Sequence, residues 1–261
     1  MKIVLDAGHG YSTPGKRTPD GMREYEFNRE VAECARQELL RYQDAEVLFT
    51  HADDRDVHLK ERTDRANTWG AQAFVSIHAN AFGNGGWNTA QGIETFCPVA
   101  TSPDSNRLAT IVHRGLIQAT ARKNRGIKSA DFHVLRETNM ASILCECGFM
   151  TNREEAQLLK STSYRQTCAL AIAEGVVEYF NLTLKTMGVS TRLYKVQVGA
   201  FQMKKNADSL AAQLNKSGFP AFVFTEEEFY KVQAGAFSEE VNAKRLAARL
   251  RSRGYSTFIC Y

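Results

Sequence analysis

The 261-residue sequence lacks the long apolar runs of membrane proteins. No segment approaches the ~20 consecutive apolar residues that a membrane-spanning helix needs. The chain also passes from Met1 directly into a strand-like segment, without the charged and then apolar leader of a secretory signal. We therefore expect synthesis in the cytoplasm without a signal peptide, and no insertion into a membrane.

Cysteine is present, but not in the pattern of a disulfide framework. The 6 cysteines have no regular spacing, and several lie within apolar strand or helix patterns. Such cysteines are typical of reduced thiols that pack in a core. Cys145 and Cys147 flank Glu146, and strand alternation turns both thiols away from that carboxylate. We interpret both as packing residues.

Strong charge of one sign is also missing. The chain carries a net charge of +4, of which residues 191–261 contribute +5 and the first 190 residues −1. Hydrophobic residues make up 43% and charged residues 24%, as in ordinary globular domains. The balance indicates a nearly neutral domain followed by a basic one, and we expect no nucleic acid among its partners.

Three apolar, strand-like segments each end in a side chain that can ligate a metal or transfer a proton. They are residues 2–7 before His9, residues 73–77 before His78, and residues 141–145 before Glu146. Open α/β sheets place ligands and chemistry at the edge where such strand ends meet. The pattern therefore predicts one site built from these three side chains.

A fourth candidate lies between the first two. Glu24 falls in the first turn of an amphipathic helix predicted from Arg23 to about Tyr42. The helix dipole favours an acidic residue there even without a ligand, so this alternative stays open for Glu24 taken alone. Its position favours a role in the site, because the loop that connects His9 to this helix must pass close to that histidine.

The rest of the first part of the chain alternates strands with helices. Further strands are predicted at residues 45–49, 92–97 and 130–136, and further helices at 59–69, 105–121 and 154–180. This alternation implies the α/β class, with a mostly parallel sheet that carries helices on both faces. We assign residues 1–182 to this domain and the aperiodic residues 183–191 to a linker.

Residues 192–261 contain an internal repeat. The segment from Tyr194 to Phe201 returns 36 positions later as Tyr230 to Phe237, with seven identities in eight positions. Each copy is followed by a predicted helix and a second strand. Two such halves predict a small split βαβ (βαββαβ) domain, whose four-stranded antiparallel sheet has one face free for binding. A solubility or dimerisation module is the alternative.

Two histidines and one carboxylate are a common set of zinc ligands when one coordination position stays open for water. His9, Glu24 and His78 supply this set. Zinc lowers the pKa of a bound water to ~7 and polarises an amide carbonyl. A further carboxylate is then needed to pass the proton to the leaving nitrogen, and Glu146, whose apolar strand should raise its pKa, is the candidate.

Other polar residues lie near the predicted site. Asp6, before the first turn, is predicted to orient His9. Asn80 and Arg136 are candidates for contacts with the ligands or the substrate. The remaining histidines have no partners at ligand spacing, and His133 is the strongest of them because it lies near the end of a predicted strand.

Four motifs follow one another within residues 1–182. They are Asp6-Ala7-Gly8-His9-Gly10, Glu24 with Asn28, Ser76-Ile77-His78-Ala79-Asn80, and residues 144–152 around Glu146. Together they resemble the zinc-dependent N-acetylmuramoyl-L-alanine amidases of bacterial cell-wall lysis. The resemblance implies cleavage of the amide between the lactyl group of N-acetylmuramic acid and L-alanine. It also implies one zinc ion held by His9, Glu24 and His78, with Glu146 as catalytic acid/base.

The C-terminal repeat resembles a SPOR (sporulation-related repeat) domain. In that family the sheet binds peptidoglycan glycan strands, particularly those without stem peptides, so the resemblance implies peptidoglycan as the partner of both domains. The aromatic and glutamine residues of the repeat are the glycan-binding candidates: Tyr194, Gln197, Phe201, Tyr230, Gln233 and Phe237.

Two alternatives stay open. A zinc peptidase acting on stem peptides would share the site chemistry. A wall-binding protein without activity would be expected to lack a ligand or the acid/base, and all four residues are present here. Both mother-cell lysis in sporulation and a phage endolysin fit a protein that reaches the bacterial cell wall after release or by non-classical export.

Overall fold

The computed structural model describes residues 1–13, 15–100, 102–185 and 193–260. The chain divides into two compact units, Met1–Lys185 and Thr186–Tyr261. The elements of the first unit are β1 (Lys2–Ala7), α1 (Glu24–Leu39), β2 (Glu46–Phe49), α2 (Leu59–Trp69), β3 (Ala73–Asn80), β4 (Ile93–Cys97), α3 (Pro103–Thr120), β5 (Asn124–Ser129), α4 (His133–Arg136), β6 (Ala141–Phe149), α5 (Arg153–Lys160) and α6 (Thr162–Phe180).

The six strands of the first unit form one sheet in the order β2-β1-β3-β6-β4-β5. The strands from β2 to β6 in this order are parallel, β4 is antiparallel to β6, and β5 is parallel to β4. The larger core lies on the face covered by α1, α3 and α6, and a smaller core lies under α2 and α4 on the other face. The predicted α/β class is confirmed.

Amphipathic patterning explains which faces are buried. In α1, Phe27, Val31, Ala35 and Leu39 are buried at helical spacing, which turns this side of the helix to the sheet. β1 and β3 are apolar on both faces, as expected for central parallel strands. The C-terminal ends of β1, β3 and β6 therefore lie side by side.

The strand predicted at residues 130–136 is wrong. β5 lies earlier in the chain, and His133–Arg136 forms the short helix α4. β5 is an edge strand with mostly exposed residues, so its sequence lacks the apolar signal of a buried strand. The apolar residues that suggested a strand at 130–136 are Val134 and Leu135, which instead pack in the smaller core as part of a helical turn. His133 accordingly begins a helix and does not end a strand.

The second unit contains β7 (Tyr194–Phe201), α7 (Lys204–Lys216), β8 (Phe222–Glu226), β9 (Phe229–Phe237), α8 (Glu240–Arg251) and β10 (Phe258–Cys260). Its sheet has the order β10-β7-β9-β8, and all three pairings are antiparallel. Val196 and Val232 pack with α7 and α8 in a separate core. The predicted split βαβ domain is confirmed.

The start of the predicted linker belongs to the first unit. The backbone of Gln43 donates to the carbonyl of Thr183 at 2.8 Å, and the backbone of Lys185 donates to the carbonyl of Arg41 at 2.8 Å. The rest of the linker, 186–191, lies outside the described residues, so the division into 1–182, 183–191 and 192–261 stays a prediction. Within the described ranges, no helix has the length and apolar character required to span a membrane.

Candidate functional sites

His9, Glu24 and His78 come together at the C-terminal edge of the first sheet. His9 follows β1, Glu24 begins α1, and His78 lies near the end of β3. Glu24 Oε1 is 2.8 Å from His78 Nδ1, and Glu24 Oε2 is 3.3 Å from His9 Nε2. One ligand atom from each residue lies within 4.8 Å of the other two. Two imidazoles and a carboxylate at this spacing fit one zinc ion.

Glu24 is held in place by its surroundings. Its side chain is buried, and its carboxylate accepts hydrogen bonds from the backbone of Lys16 at 2.8 Å and of Ala79 at 3.3 Å. Burial raises the pKa of this carboxyl, but the hydrogen bonds and charges of His78 and His9 prevail and hold the pKa well below its usual value. Glu24 is therefore ionised, as a metal ligand must be.

Two glycines allow the ligand side chains to approach the backbone closely. A Cβ atom on Gly8 would lie 2.1 Å from Cε1 of His78, and one on Gly15 would lie 2.4 Å from Cδ2 of His9. His9 itself has a φ of 68°, a strained backbone conformation that occurs at functional sites. Gly8 within the first motif and Gly15 after it thus leave the space that the two imidazole rings occupy.

Asp6 connects to His78 and not to the ring of His9. Ser76 Oγ donates to Asp6 Oδ2 at 2.6 Å and lies 3.1 Å from Nε2 of His78. Because the hydroxyl proton goes to Asp6, Ser76 accepts from His78, which places that imidazole's proton on Nε2. Nδ1 lies 2.8 Å from Glu24 Oε1, and with the Nε2 proton held by Ser76 it is the nitrogen whose lone pair a bound metal ion would use.

Arg62 fixes the turn after β1 from the opposite side. Its guanidinium donates to Asp6 at 2.7 Å, to the carbonyl of Ala7 at 2.6 Å and to the carbonyl of His9. Arg62 and Asp6 are both buried, so this ion pair is shielded from water. Among the described residues, Asp6 is therefore connected to His9 through Arg62, which donates to the carbonyl of His9.

Glu146 occupies the β6 position paired with His78 on β3. As predicted, it lies on the face opposite Cys145 and Cys147, which are buried in the larger core. Within the described residues its Oε2 is buried and has no hydrogen-bond partner. Removal from water, together with the negative charges of Glu24 and Glu94, raises the pKa of Glu146 well above its usual value. This carboxyl is suited to carry a proton near neutral pH.

A cavity of about 640 Å³ opens over these side chains, in the usual range for a ligand site. One wall contains the histidines, Glu24 and Glu146. Another wall is largely apolar and consists of Val57, Leu59, Phe96, Phe132, Val134 and Leu144. His133 also lines the cavity, and its buried Nε2 has no hydrogen-bond partner among the described residues.

The other predicted site residues differ in their positions. Asn80 lines the cavity, but its side-chain amide donates a hydrogen bond to Glu94 Oε1 at 2.6 Å. This amide is therefore used in a contact within the protein. Arg136 lies outside the cavity lining and forms ion pairs with Asp131 and Glu137. The structure therefore does not bring Arg136 to the site.

Arg62 and Glu94 were missed by sequence reasoning. Glu94 is buried on β4, is paired in register with Glu146, and accepts hydrogen bonds from Arg125 and Lys128. A charged residue inside the apolar segment 93–97 was the available signal for Glu94. Arg62 carried no comparable signal, because it lies on a helix rich in polar residues.

Comparison with known proteins assigns both units. The model of the N-acetylmuramoyl-L-alanine amidase family (Amidase_3) matches residues 3–178, and that of the SPOR domain matches residues 190–261. The chain belongs to the N-acetylmuramoyl-L-alanine amidase family. Its activity is that of an amidase acting on the peptidoglycan of the cell wall.

Individual relatives agree with this assignment. The amidase is 40% identical over 224 residues to N-acetylmuramoyl-L-alanine amidase CwlM of Bacillus licheniformis, covering 85% of this chain and 84% of that protein. It is 40% identical over 229 residues to the sporulation-specific N-acetylmuramoyl-L-alanine amidase of Bacillus subtilis (strain 168), covering 87% and 86%. A solved N-acetylmuramoyl-L-alanine amidase from Clostridium difficile 630 has a TM-score of 0.66 and 35% identity, covering 69% of this chain and 96% of that one.

The SPOR domain of this amidase separates the predicted glycan-binding residues onto two faces. Tyr194, Phe201, Tyr230 and Phe237 pack against the core between the sheet and its helices. Gln197 and Gln233 are paired with each other and neighbour the core residues Val196 and Val232, so they lie on the opposite, free face.

Two phenylalanines that were not predicted complete this free face. Phe222 on β8 is paired with Gln233, and Phe258 on β10 is paired with Gln197. Their exposed fractions are 54% and 65%. The free face thus carries one row across all four strands, with two amides between two exposed aromatic rings; Gln197 is half-buried, and Gln233 is 7% exposed and therefore largely covered.

Proposed function

We propose that this amidase is zinc-dependent, with His9, Glu24 and His78 holding the ion and Glu146 acting as the catalytic acid/base. The observation that carries the proposal is the geometry of the cavity: three side chains at metal-ligand spacing lie next to a carboxyl whose Oε2 is buried and, within the described residues, has no hydrogen-bond partner. The reaction is hydrolysis of the amide between the lactyl group of N-acetylmuramic acid and L-alanine.

Glu146 and the apolar wall of the cavity have separate roles in the proposed reaction. When bound, zinc supplies a Lewis acid that lowers the pKa of water and polarises a carbonyl group. Glu146 accepts a proton from the water that attacks the lactyl carbonyl carbon. It then donates that proton to the nitrogen of L-alanine as the C–N bond breaks, leaving a lactyl carboxylic acid and a free amine, which become a carboxylate and an ammonium when the second proton of the water passes to the amine. The apolar wall of the cavity limits access of other water.

We further propose that the free face of the SPOR domain binds glycan. Exposed aromatic rings supply apolar area against which a sugar ring can stack, and amides can hydrogen-bond hydroxyl and acetamido groups. The row formed by Phe222, Gln233, Gln197 and Phe258 offers both kinds of contact, with the half-buried Gln197 as its more accessible amide. Binding there would keep the amidase at the bacterial cell wall after its release.

Digestion of purified peptidoglycan tests the catalytic proposal. The zinc-loaded chain should produce new L-alanine amino termini and intact glycan, identified by mass spectrometry, and chelation should stop the reaction until zinc is restored. Cuts elsewhere in the stem peptide would indicate the zinc peptidase alternative. Absence of any cut by the zinc-loaded chain would indicate a wall-binding protein without activity.

A further inference from the structure

Lys16 lines the catalytic cavity at a fixed position. Its backbone nitrogen donates to Glu24 Oε2 at 2.8 Å, and its carbonyl accepts from the backbone nitrogen of Glu24 at 3.0 Å. The two bonds attach Lys16 directly to a proposed zinc ligand. Its side chain extends from this anchored backbone at the cavity wall.

The ammonium group of Lys16 has no hydrogen-bond or ion-pair partner within the described ranges, unlike the other cation of the cavity wall. Arg62 uses its donors on Asp6 and on backbone carbonyl groups. Lys16 is close enough to the reaction centre for its charge to lower the pKa of Glu146 against the larger opposing effect of burial. The cavity wall therefore includes an exposed lysine whose charge is free to pair with a ligand.

We infer that Lys16 binds a carboxylate of the stem peptide, on the L-alanine side of the scissile bond. This inference rests on the proposed function. The carboxyl group of muramic acid is consumed in the scissile amide, and the sugars offer only hydroxyl and acetamido groups. The nearest free carboxylate belongs to the acidic residue that follows L-alanine, and a lysine ammonium pairs with such a group as a point charge.

The inferred contact makes Lys16 a specificity-determining residue. A substrate with a carboxylate on the second residue gains an ion pair, whereas one with a carboxamide at that position does not. A different role, stabilisation of negative charge on the reacting carbonyl oxygen, would instead affect every substrate alike. The ratio between the two substrates separates these roles, because any effect of Lys16 on the pKa of Glu146 cancels in it.

The test compares N-acetylmuramoyl-L-alanyl-D-glutamine, whose α-carboxylate is free as in a stem peptide linked through the γ-carboxyl, with its α-carboxamide, which has no carboxylate, using the full chain loaded with zinc. The wild type should prefer the carboxylate substrate by about fivefold in kcat/KM, as expected for a partly exposed ion pair. Lys16→Met should remove this preference through KM, and any change that it causes through Glu146 should be equal on both substrates, while Lys16→Arg should retain the preference. Arg17→Met removes the neighbouring charge, which lies outside the cavity lining, and should keep the preference.

Two results would overturn the inference: equal kcat/KM of the wild type on the two substrates, or a preference that is unchanged in Lys16→Met because both substrates lose activity equally or not at all. If the wild type cleaves neither substrate, the proposed function fails on these ligands and calorimetry decides the role of Lys16 separately. Tighter binding of the carboxylate ligand that disappears in Lys16→Met would then support the inference. Equal binding of both ligands by the wild type would contradict it.

Discussion

His78 and Glu146 occupy paired positions on the neighbouring strands β3 and β6. Paired residues of adjacent strands project from the same face of a sheet, so the register alone brings a proposed zinc ligand and the proposed acid/base to one cavity. The next strand adds Glu94, paired with Glu146 on its other side. The reactive carboxyl thus lies between a histidine and a second buried acid.

Replacing the carboxyl of Glu146 tests its assignment as acid/base. We expect Glu146→Gln to lower the rate of peptidoglycan hydrolysis by about 10²–10⁴-fold, because an amide cannot carry the proton. Bound zinc, measured by elemental analysis, should stay at one ion per chain. Glu154→Gln, at an exposed residue paired with Arg122, is the control and should keep wild-type activity. Full activity of Glu146→Gln would rule the assignment out.

Gly8 tests the steric function of the first motif. In Gly8→Ala the new methyl group would overlap the ring of His78, which must move. We expect zinc affinity to fall by about 10–100-fold, as for other changes that reorient a ligand. Gly86→Ala is the matched control, because a Cβ atom there meets no atom within 4 Å. Competition with a chromogenic chelator measures both affinities, and equal values would contradict the proposed clash.

The sequence predicted those parts of the molecule that local pattern determines. Apolar strands ending in His9, His78 and Glu146 were recognisable because the strand, the turn and the reactive side chain are adjacent in the chain. Contacts between segments that are distant in the chain could not be recognised in this way. Asp6 was predicted to orient His9, but it is hydrogen-bonded to Ser76, which in turn contacts His78. Strand register decides which side chain lies next to the carboxylate, and register cannot be read from one segment.

The same limit applies to β5 and to the SPOR face. An exposed edge strand has no apolar signal, so residues 124–129 were not recognised. The aromatic residues that both copies of the repeat share were predicted to bind glycan, but they pack inward against the core. Phe222 and Phe258 lie outside the repeated octapeptide and join the free face only through strand pairing.

The ion pair of Asp6 and Arg62 predicts a dependence of stability on pH. Burial opposes ionisation of Asp6, but the charge of Arg62 and the hydrogen bonds from Ser76 and Thr50 prevail and lower its pKa to about 2. Because the folded-state pKa lies below the unfolded value near 3.8, this stabilisation is present above pH 3.8 and is lost as the pH falls through 2.

Urea unfolding of the metal-free chain, followed by tryptophan fluorescence, measures this effect. The signal reports on the first unit, because both tryptophans, Trp69 and Trp87, lie there. We expect Asp6→Asn to lower the free energy of unfolding at pH 7 by about 3–5 kcal/mol, since Arg62 loses its buried partner. The difference should shrink as the pH falls from 4 toward 2. Asp64→Asn, at an exposed pair with Lys60, should have little effect at any pH. A difference independent of pH would show that Asp6 does not titrate as described.

The row on the free SPOR face predicts which changes weaken glycan binding. Phe222 and Phe258 lie on the two outer strands, β8 and β10, with Gln233 and Gln197 between them. A glycan strand lying across the sheet can contact both rings at once. We therefore expect each Phe→Ala change to weaken binding by about three- to tenfold, and the double variant to lose more than either single variant.

Co-sedimentation of the full chain with purified glycan that lacks stem peptides measures this binding. Val241→Ala is the matched control, because it removes an exposed apolar side chain from α8, on the other side of the sheet. Hydrolysis of a small muramoyl-peptide should be unaffected in all of these variants, since the described residues that line the catalytic cavity belong to the first unit. If Phe222→Ala and Phe258→Ala bind glycan as the wild type does while Val241→Ala does not, the glycan site lies on the helical side of the domain. The aromatic row would then have no part in binding.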